Sequence, residues 1–319
     1  MQFKLKQTHA FATATIVIAA FAVVSFQTAG AQGNDAKANA GAKAKTAGAA
    51  AANANTSDVA KTLKVAAETL GLARWSGVGG QHLPEVDVVS TMEFWASGTT
   101  YGSGQSSKDG DPSLAFKTEY HAALGYNPPA VRLEMTRTPV QGGGAPQHTL
   151  QVVREKYAWN ESEIGAGLIP GKGTATPEMA AVRSRLLQLW ILPYGVIKAA
   201  VAADDKTKVT TENGATVLTF PLSGLLADVM VRATLDSENE VAKVETRTDN
   251  PALRDLITET EYSGYADHGE ILTDVKSPGH ILQKQSGHPV MDLQVKMWDA
   301  NNPYLVFPVP DNVKKSPAS

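Results

Sequence analysis

Three separated stretches of this chain alternate between apolar and polar side chains, and that rhythm limits the fold more than any other feature. Residues 131–138 read VRLEMTRT, with Val131, Leu133 and Met135 on one face and Arg132, Glu134 and Thr136 on the other. In VAKVETRTD, Ala242, Val244 and Thr246 alternate with Lys243, Glu245 and Arg247. In MDLQVKMW, Met291, Leu293, Val295 and Met297 alternate with Asp292, Gln294, Lys296 and Trp298. A period of two puts one face of a strand on a core and the other in water. Parallel strands, buried on both faces, would read as unbroken apolar runs, so the pattern specifies antiparallel sheet. The chain contains no cysteine. Disulfides and an acylated lipobox are therefore excluded, and burial alone must hold the fold.

Turn signals separate these runs. LDSENEV, TDNP, ADHGE and SGHP punctuate the C-terminal half and predict a meander. Gly142 to Gly144 divide the strand at 131–138 from TLQVVREKYAWN, which predicts a hairpin loop. ASGTTYGSGQSSKDGDPS, residues 96–113, reads as a long surface loop. Asp311 to Lys315 reads as the start of a frayed tail. Two stretches have helical rather than strand spacing. Ser57-Asp58 is a capping pair, followed by Val59, Leu63, Ala66, Ala67 and Leu70 and stopped by Gly71. Thr176-Pro177-Glu178 reads as a second helix start, followed by Met179, Val182, Leu186, Leu189 and Trp190.

The N-terminus reads as an export signal. Lys4 and Lys6 precede an apolar run from Phe11 to Phe26, and Ala29-Gly30-Ala31 is a small-x-small cleavage pattern. A membrane anchor is the competing reading, but Thr13, Thr15 and Ser25 interrupt a run shorter than the ~20 residues of a span. Residues 32–57 are Ala, Asn, Gly and Lys with no large apolar side chain, predicting a flexible tether or a fraying alanine-rich helix. From Ser57 onward, 31 acidic residues stand against 24 basic ones, a net charge of −7. Such a surface disfavours nucleic acid and anionic bilayers as partners.

LLQLWILPYGVIKAAVAA, residues 186–203, carries one charge, Lys198. Pro193-Tyr194-Gly195 breaks it in the middle, and strand-rich sequence flanks it on both sides, which argues against a membrane span. Two readings remain: a buried helical pair covering the apolar face of the sheet, or the same pair also lining an apolar cavity. In the first, helix ends near Leu192 and a second runs from Tyr194 to Ala203.

VRSRLLQLWILPYGVIKAA, Ala158-Trp159-Asn160, the run from Val231 through SGHPVMDLQVKMWDANNP, and FPVPDNV together resemble one family. It is the N-terminal domain found ahead of the catalytic domain in exported metallo-β-lactamase-fold hydrolases. The C-terminal half also resembles, more loosely, the periplasmic outer-membrane lipoprotein carriers. That resemblance implies a half-closed antiparallel barrel around helices, with an apolar cavity between. It covers about residues 58–313, with Arg185-Leu186-Leu187-Gln188-Leu189-Trp190 and Pro193 its most specific part. Tyr194 departs from it, standing where related sequences carry histidine. The sequence ends at Ser319, about where the catalytic domain would begin.

Catalytic signatures are missing. A metallo-β-lactamase site needs a His-x-His-x-Asp-His cluster, yet no two of the seven histidines lie within six positions of each other. His280 and His288 could meet across a hairpin, or be surface histidines at a turn. There is no Gly-x-Ser-x-Gly elbow, and SGVGG at 76–80 lacks dinucleotide-binding spacing. Glu259 and Glu261, two apart on a strand, read as a solvated face. The tryptophans Trp75, Trp95, Trp159 and Trp190 fill a core or line a cavity, while Trp298, in phase with Lys296, is expected on the outer face.

The expectation is a mainly β (α+β) protein, a curved antiparallel half-barrel wrapped around a broken helical pair. Residues 1–31 are the signal, 32–57 the linker, 58–313 the domain and 314–319 a tail. An exported, periplasmic, non-catalytic protein is expected, without metal or cofactor. It would bind an apolar ligand, a lipid or acylated partner, through Trp190, Tyr194, Trp159, Trp75 and Leu186. The alternative is an accessory domain contacting a separate metallo-β-lactamase-fold hydrolase. A hydrolase in its own right would need a constellation that the sequence lacks.

Overall fold

A computed structural model describes residues 58–73, 85–102, 115–250, 254–267 and 275–317. The signal, the linker, the SGVGG stretch and Trp75 lie outside these residues. The protein is mainly β. One meander comprises β1 (Thr91–Tyr101), β2 (Ala115–Tyr126), β3 (Pro129–Pro139), β4 (Gln147–Arg154), β5 (Tyr157–Glu161) and β6 (Ala175–Pro177). A second comprises β7 (Lys208–Glu212), β8 (Ala215–Pro221), β9 (Met230–Leu235), β10 (Val241–Asn250), β11 (Arg254–Asp267), β12 (Lys276–Gln285) and β13 (His288–Ala300). Strand β1 pairs with β13, and the two meanders fuse into one 13-stranded antiparallel sheet, curved and open at β6 and β7.

The chain therefore leaves the sheet at one edge and re-enters at the other. Helices α2 (Val182–Ile191) and α3 (Pro193–Ala202) make that crossing. Thirteen strands at ~4.8 Å spacing extend over about 58 Å of sheet. Two ten-residue helices, at ~1.5 Å per residue and bent by 96°, reach only about 20 Å between their far ends. With a few linking residues at each end, the edges must be drawn together, so the sheet curves and its concave face meets the helices. No single described helix is long and apolar enough to cross a membrane, and most of α3 is buried.

One residue separates α2 from α3. Leu192 is extended (φ −67°, ψ 151°), and Pro193 opens α3, where its missing amide costs nothing. Gly195 permits the corner, because a Cβ there would stand 2.1 Å from the Leu189 carbonyl oxygen. The start of α2 differs from expectation. Thr176 and Pro177 belong to β6, pairing with Asn160 and Trp159, and Met179–Ala181 forms a 3-10 turn before α2. The free edge of β5 captures the segment, so the Thr-Pro-Glu signal caps no helix. Helix α1 (58–69) matches the sequence reading: Val59, Leu63, Ala66, Ala67 and Leu70 are buried. Gly71 (φ 72°) ends it, with Gly71 N–H donating to Glu68 and Leu72 N–H to Ala67.

Two bulges reset the alternation. Across β1, Trp95 faces Met297 and Ala96 faces Val295, so Lys296 is an extra residue. The phase inverts there. Trp298 turns inward, 6% exposed, opposite Phe94 with ring centroids 4.4 Å apart, and its indole N–H donates to the Pro278 carbonyl. The expected outward Trp298 is thus corrected. In β10 the register shifts at Ala242, and Val241 takes the core position. The polar stretch after Trp95 also differs from expectation: residues 96–101 continue β1, where Thr100 and Thr118 hydroxyls bond at 2.7 Å.

The main core lies between the concave face and helices α1 to α3. A second core lies on the other face of the first meander, where Ala123, Leu150, Val152 and Trp159 are covered by Phe307, Val309 and Val313. This C-terminal strap ends in α4 (Asp311–Lys314), whose Val313 is fully buried and whose Asn312 Nδ2 donates to the Ala175 carbonyl at 2.7 Å. The expected fraying at Asp311 is corrected, because apolar Val313 has a site to fill.

Replacing Gly195 with alanine forces the new methyl into the Leu189 carbonyl and opens the α2–α3 corner. Loss of about 2–3 kcal/mol is expected in urea denaturation, against Lys61→Ala on the exposed face of α1 as control.

Candidate functional site

The apolar cleft at the centre of the concave face lies where the two meanders meet beneath the helical corner. Phe94, Tyr120 and Leu133 reach it from the first meander, Tyr262 and Ile281 from the second, and Ile191 and Leu192 close it from the helices. Gln188, Thr260 and Gln283 add polar groups to the lining, and Gln283 Nε2 donates to Thr260 Oγ1 at 3.3 Å. The free volume is about 20 Å³, room for one water molecule.

Buried hydroxyls hold the corner over this cleft. Tyr262 OH donates to the Ile191 carbonyl at 2.8 Å, taking one of the acceptors that α2 leaves unpaired at its end. Tyr194 OH bonds to Ser277 Oγ and the Lys276 carbonyl, and its ring meets Trp298 edge-on at 6.2 Å. Burial pushes both phenol pKa values well above 10, so both hydroxyls keep their protons at physiological pH.

The residues singled out from sequence fall in different places. Leu186 and Tyr194 are buried in the main core. Trp190 is half-buried against that core, 6.1 Å from the Tyr126 ring. Trp159 lies in the second core beneath the strap, with its indole N–H on Glu161 Oε1 at 2.8 Å. The structure thus brings Leu186, Trp190 and Tyr194 to one core and sets Trp159 in another. None of the four lines the cleft itself, whose walls come from strand positions and from Gln188, Ile191 and Leu192.

Arg185, on α2, is a buried cation. Its Nη1 donates to the Val152 and Trp159 carbonyls at 2.9 and 2.7 Å, and Nη2 to Asn160 Oδ1 at 2.6 Å. Burial lowers its pKa to about 10, so it remains charged at neutral pH while anchoring α2 to β4 and β5.

The outer face carries three polar constellations that strand pairing assembles from distant residues. On β1 to β4, His121 Nε2 lies 3.2 Å from Glu93, and Glu134 accepts from His148 Nε2 at 2.9 Å and faces His121 Nδ1 at 3.7 Å. Trp95 stacks on His121 at 4.5 Å. On β11 to β13, His280 Nε2 lies 2.7 Å from Asp292 and His280 Nδ1 3.4 Å from the exposed Ser263 hydroxyl. His280 stands opposite Gln294 and His288 opposite Gln285, so the two histidines do not meet. The third is a ladder of alternating charge in which Glu212, Arg232, Glu245, Lys243, Glu259 and Lys284 follow one another from β7 to β12. Glu259 and Glu261 both lie within reach of Lys284. Among the described residues, no three His, Asp or Glu side chains are grouped to hold a metal ion.

Comparison with models of known protein families finds no match, and comparison with curated proteins finds none either.

Lys198, the one charge of the 186–203 stretch, is half-buried on α3. It donates to the Val86 carbonyl and lies 5.1 Å from the Tyr126 ring centroid. Burial lowers its pKa from 10.5 to about 8, with Asp87 opposing. Between these values the unfolded chain binds more protons, so Lys198 contributes a stability that rises with pH across that window. Urea midpoints measured from pH 7 to 10 are expected to climb more steeply in the wild type than in Lys198→Met. Parallel profiles would exclude this role.

Proposed function

We propose that this protein is exported, non-catalytic and built to hold an apolar ligand, an acyl chain or acylated partner, between sheet and helices. On this reading the curved sheet is a half-barrel wrapped around the α2–α3 pair, and the pair is the movable side of the site. The observation that carries it is the apolar cleft under Leu192, the extended residue between the two helices. Its walls are aromatic and aliphatic, and Gln188, Thr260 and Gln283 offer hydrogen bonds to a headgroup. A volume of about 20 Å³ admits no acyl chain, so binding requires the corner to swing away from β11 and β12. The export signal at residues 1–31 and the acidic mature chain are consistent with a periplasmic carrier.

A second reading, an accessory domain contacting a separate metallo-β-lactamase-fold hydrolase, is favoured by the strap alone. Tyr304 and Val306 are 89% and 63% exposed on it, two residues apart. Co-purification with such an enzyme, lost in Tyr304→Ser with Val306→Ser, would support this reading over the first.

The binding reading is tested on the purified mature protein. Extraction and mass spectrometry are expected to release an apolar ligand, and a fluorescent fatty-acyl probe to shift tryptophan emission from Trp190 and Trp298. Ala122→Val adds two methyl groups to the cleft lining and is expected to weaken probe binding several-fold with circular dichroism unchanged. Neither bound nor exchangeable lipid, and no emission response, would reject it.

A further inference from the structure

The two edges of the sheet are built differently. Strand β6 has three residues, includes Pro177, and is overlaid by α4, with Asn312 bonded to the Ala175 carbonyl. Those are devices that close an edge to further pairing. Among the described residues, strand β7 has none of them. It has five residues, KVTTE, without proline or bulge, and four of the five are exposed.

The phase of its free groups follows from the hairpin. Asn213 and Gly214 (φ 50° and 84°) form the two-residue turn to β8, with Glu212 opposite Ala215. In such a hairpin the closing pair exchanges both hydrogen bonds, and bonded pairs then alternate with unbonded ones. Lys208, Thr210 and Glu212 thus turn their amides to β8. Val209 and Thr211 turn N–H and C=O outward, away from the sheet.

We propose that β7 pairs antiparallel with β7 of a second copy of this chain, about a two-fold axis at Thr210. In that register Val209 faces Thr211 of the other copy, twice. The outward groups meet in phase and form four N–H···O bonds. A slip of one residue in either strand sets outward groups against amides already used by β8. The same register places Lys208 opposite Glu212 of the other copy, also twice. Lys208 makes no ion pair within the chain among the described residues. Glu212 is the last carboxylate of the outer-face ladder, bonded to Arg232 at 2.6 Å on one side and open on the other. The second copy's Lys208 continues the alternation of sign across the junction. Glu212 and Thr210 already share that face, 3.3 Å apart, while Val209 packs against the main core. One short strand from each copy buries far less than the ~1,200–2,000 Å² of a stable interface, so the dimer is weak and concentration-dependent.

The absence of cysteine makes the register directly testable. Thr210→Cys sits on the two-fold axis and is expected to cross-link to itself under mild oxidation, many-fold faster than Lys208→Cys, which faces residue 212. Sedimentation of the wild type is expected to show dimer at high concentration. Thr211→Pro removes an outward amide while sparing the β8 ladder and is expected to weaken the dimer about tenfold. Lys208→Glu and Glu212→Lys are each expected to be monomeric, and their mixture to form a heterodimer. A wild type that stays monomeric to millimolar concentration, equal cross-linking at 208 and 210, or a dimer indifferent to Thr211→Pro would each overturn the proposal.

Discussion

The chain must cross from β6 to β7, between opposite edges of one sheet, and the curvature, the helices and their anchors all follow from that crossing. Each meander is locally determined, strand by strand, through short turns. Joining the last strand of the first to the first strand of the second, across the width of the sheet, is not local at all. The two short helices that make the crossing have weak intrinsic signals: neither has a side-chain cap or an acid in its first turn. The sheet supplies what they lack. Arg185 ties the start of α2 to β4 and β5, and Tyr262 takes the Ile191 carbonyl at its end. Tyr194 fixes the start of α3 to β12, and Thr207 takes the Ala200 carbonyl at 2.6 Å. Helices of this length are marginal alone, and tertiary contacts make them persist. Arginine suits the first of these anchors because its planar fork reaches three acceptors on two strands, which a lysine ammonium would not span in the same geometry.

Closing the concave face with helices leaves the outer face with two different solutions. Over the second meander it is solvated, and the charges from Glu212 to Lys284 alternate in sign from strand to strand, so cross-strand neighbours attract. Over the first meander Ala123, Leu150, Val152 and Trp159 point outward and are apolar. The strap answers that need. Phe307 and Val309 cover these residues, Arg132 stacks over Phe307 at 5.5 Å, and Arg154 donates to the Phe307 carbonyl at 3.0 Å. The C-terminal segment is thereby part of the first meander's core, although Arg154 and Phe307 lie 153 positions apart along the chain.

Strand type and the turns at LDSENEV and SGHP were legible because they rest on neighbours in sequence, while TDNP and ADHGE run outside the described residues. Val131, Leu133, Val244 and Leu293 face the core as their alternation requires. Features that depend on a partner strand were not legible. Lys296 is a bulge only because β1 passes beside it, and that inverts Trp298. Thr176 and Pro177 have good helix-starting chemistry, but β5 had an open edge to offer. The Glu93–His121–Glu134–His148 row joins positions 28, 13 and 14 residues apart. Spacing along the chain carries no trace of it, because cross-strand registers determine which side chains meet. The same reason hid the cleft. Its walls come from six strands of both meanders, whereas the sequence drew attention to the large aromatics of the helical segment, which serve to fill the core.

On the proposed reading, the anchors over the cleft also set what the site can take. Swinging the corner away breaks the Tyr262–Ile191 bond and the bonds of Tyr194 to Ser277 and Lys276. At ~0.5–1.5 kcal/mol each, and more for any group left buried without a partner, opening costs about 3–5 kcal/mol. Each methylene removed from water contributes about 0.8 kcal/mol. A ligand burying fewer than about six methylenes would not offset the cost of opening. The site so described excludes small apolar solutes and selects long chains by the energy of its own closure, not by the shape of a standing cavity.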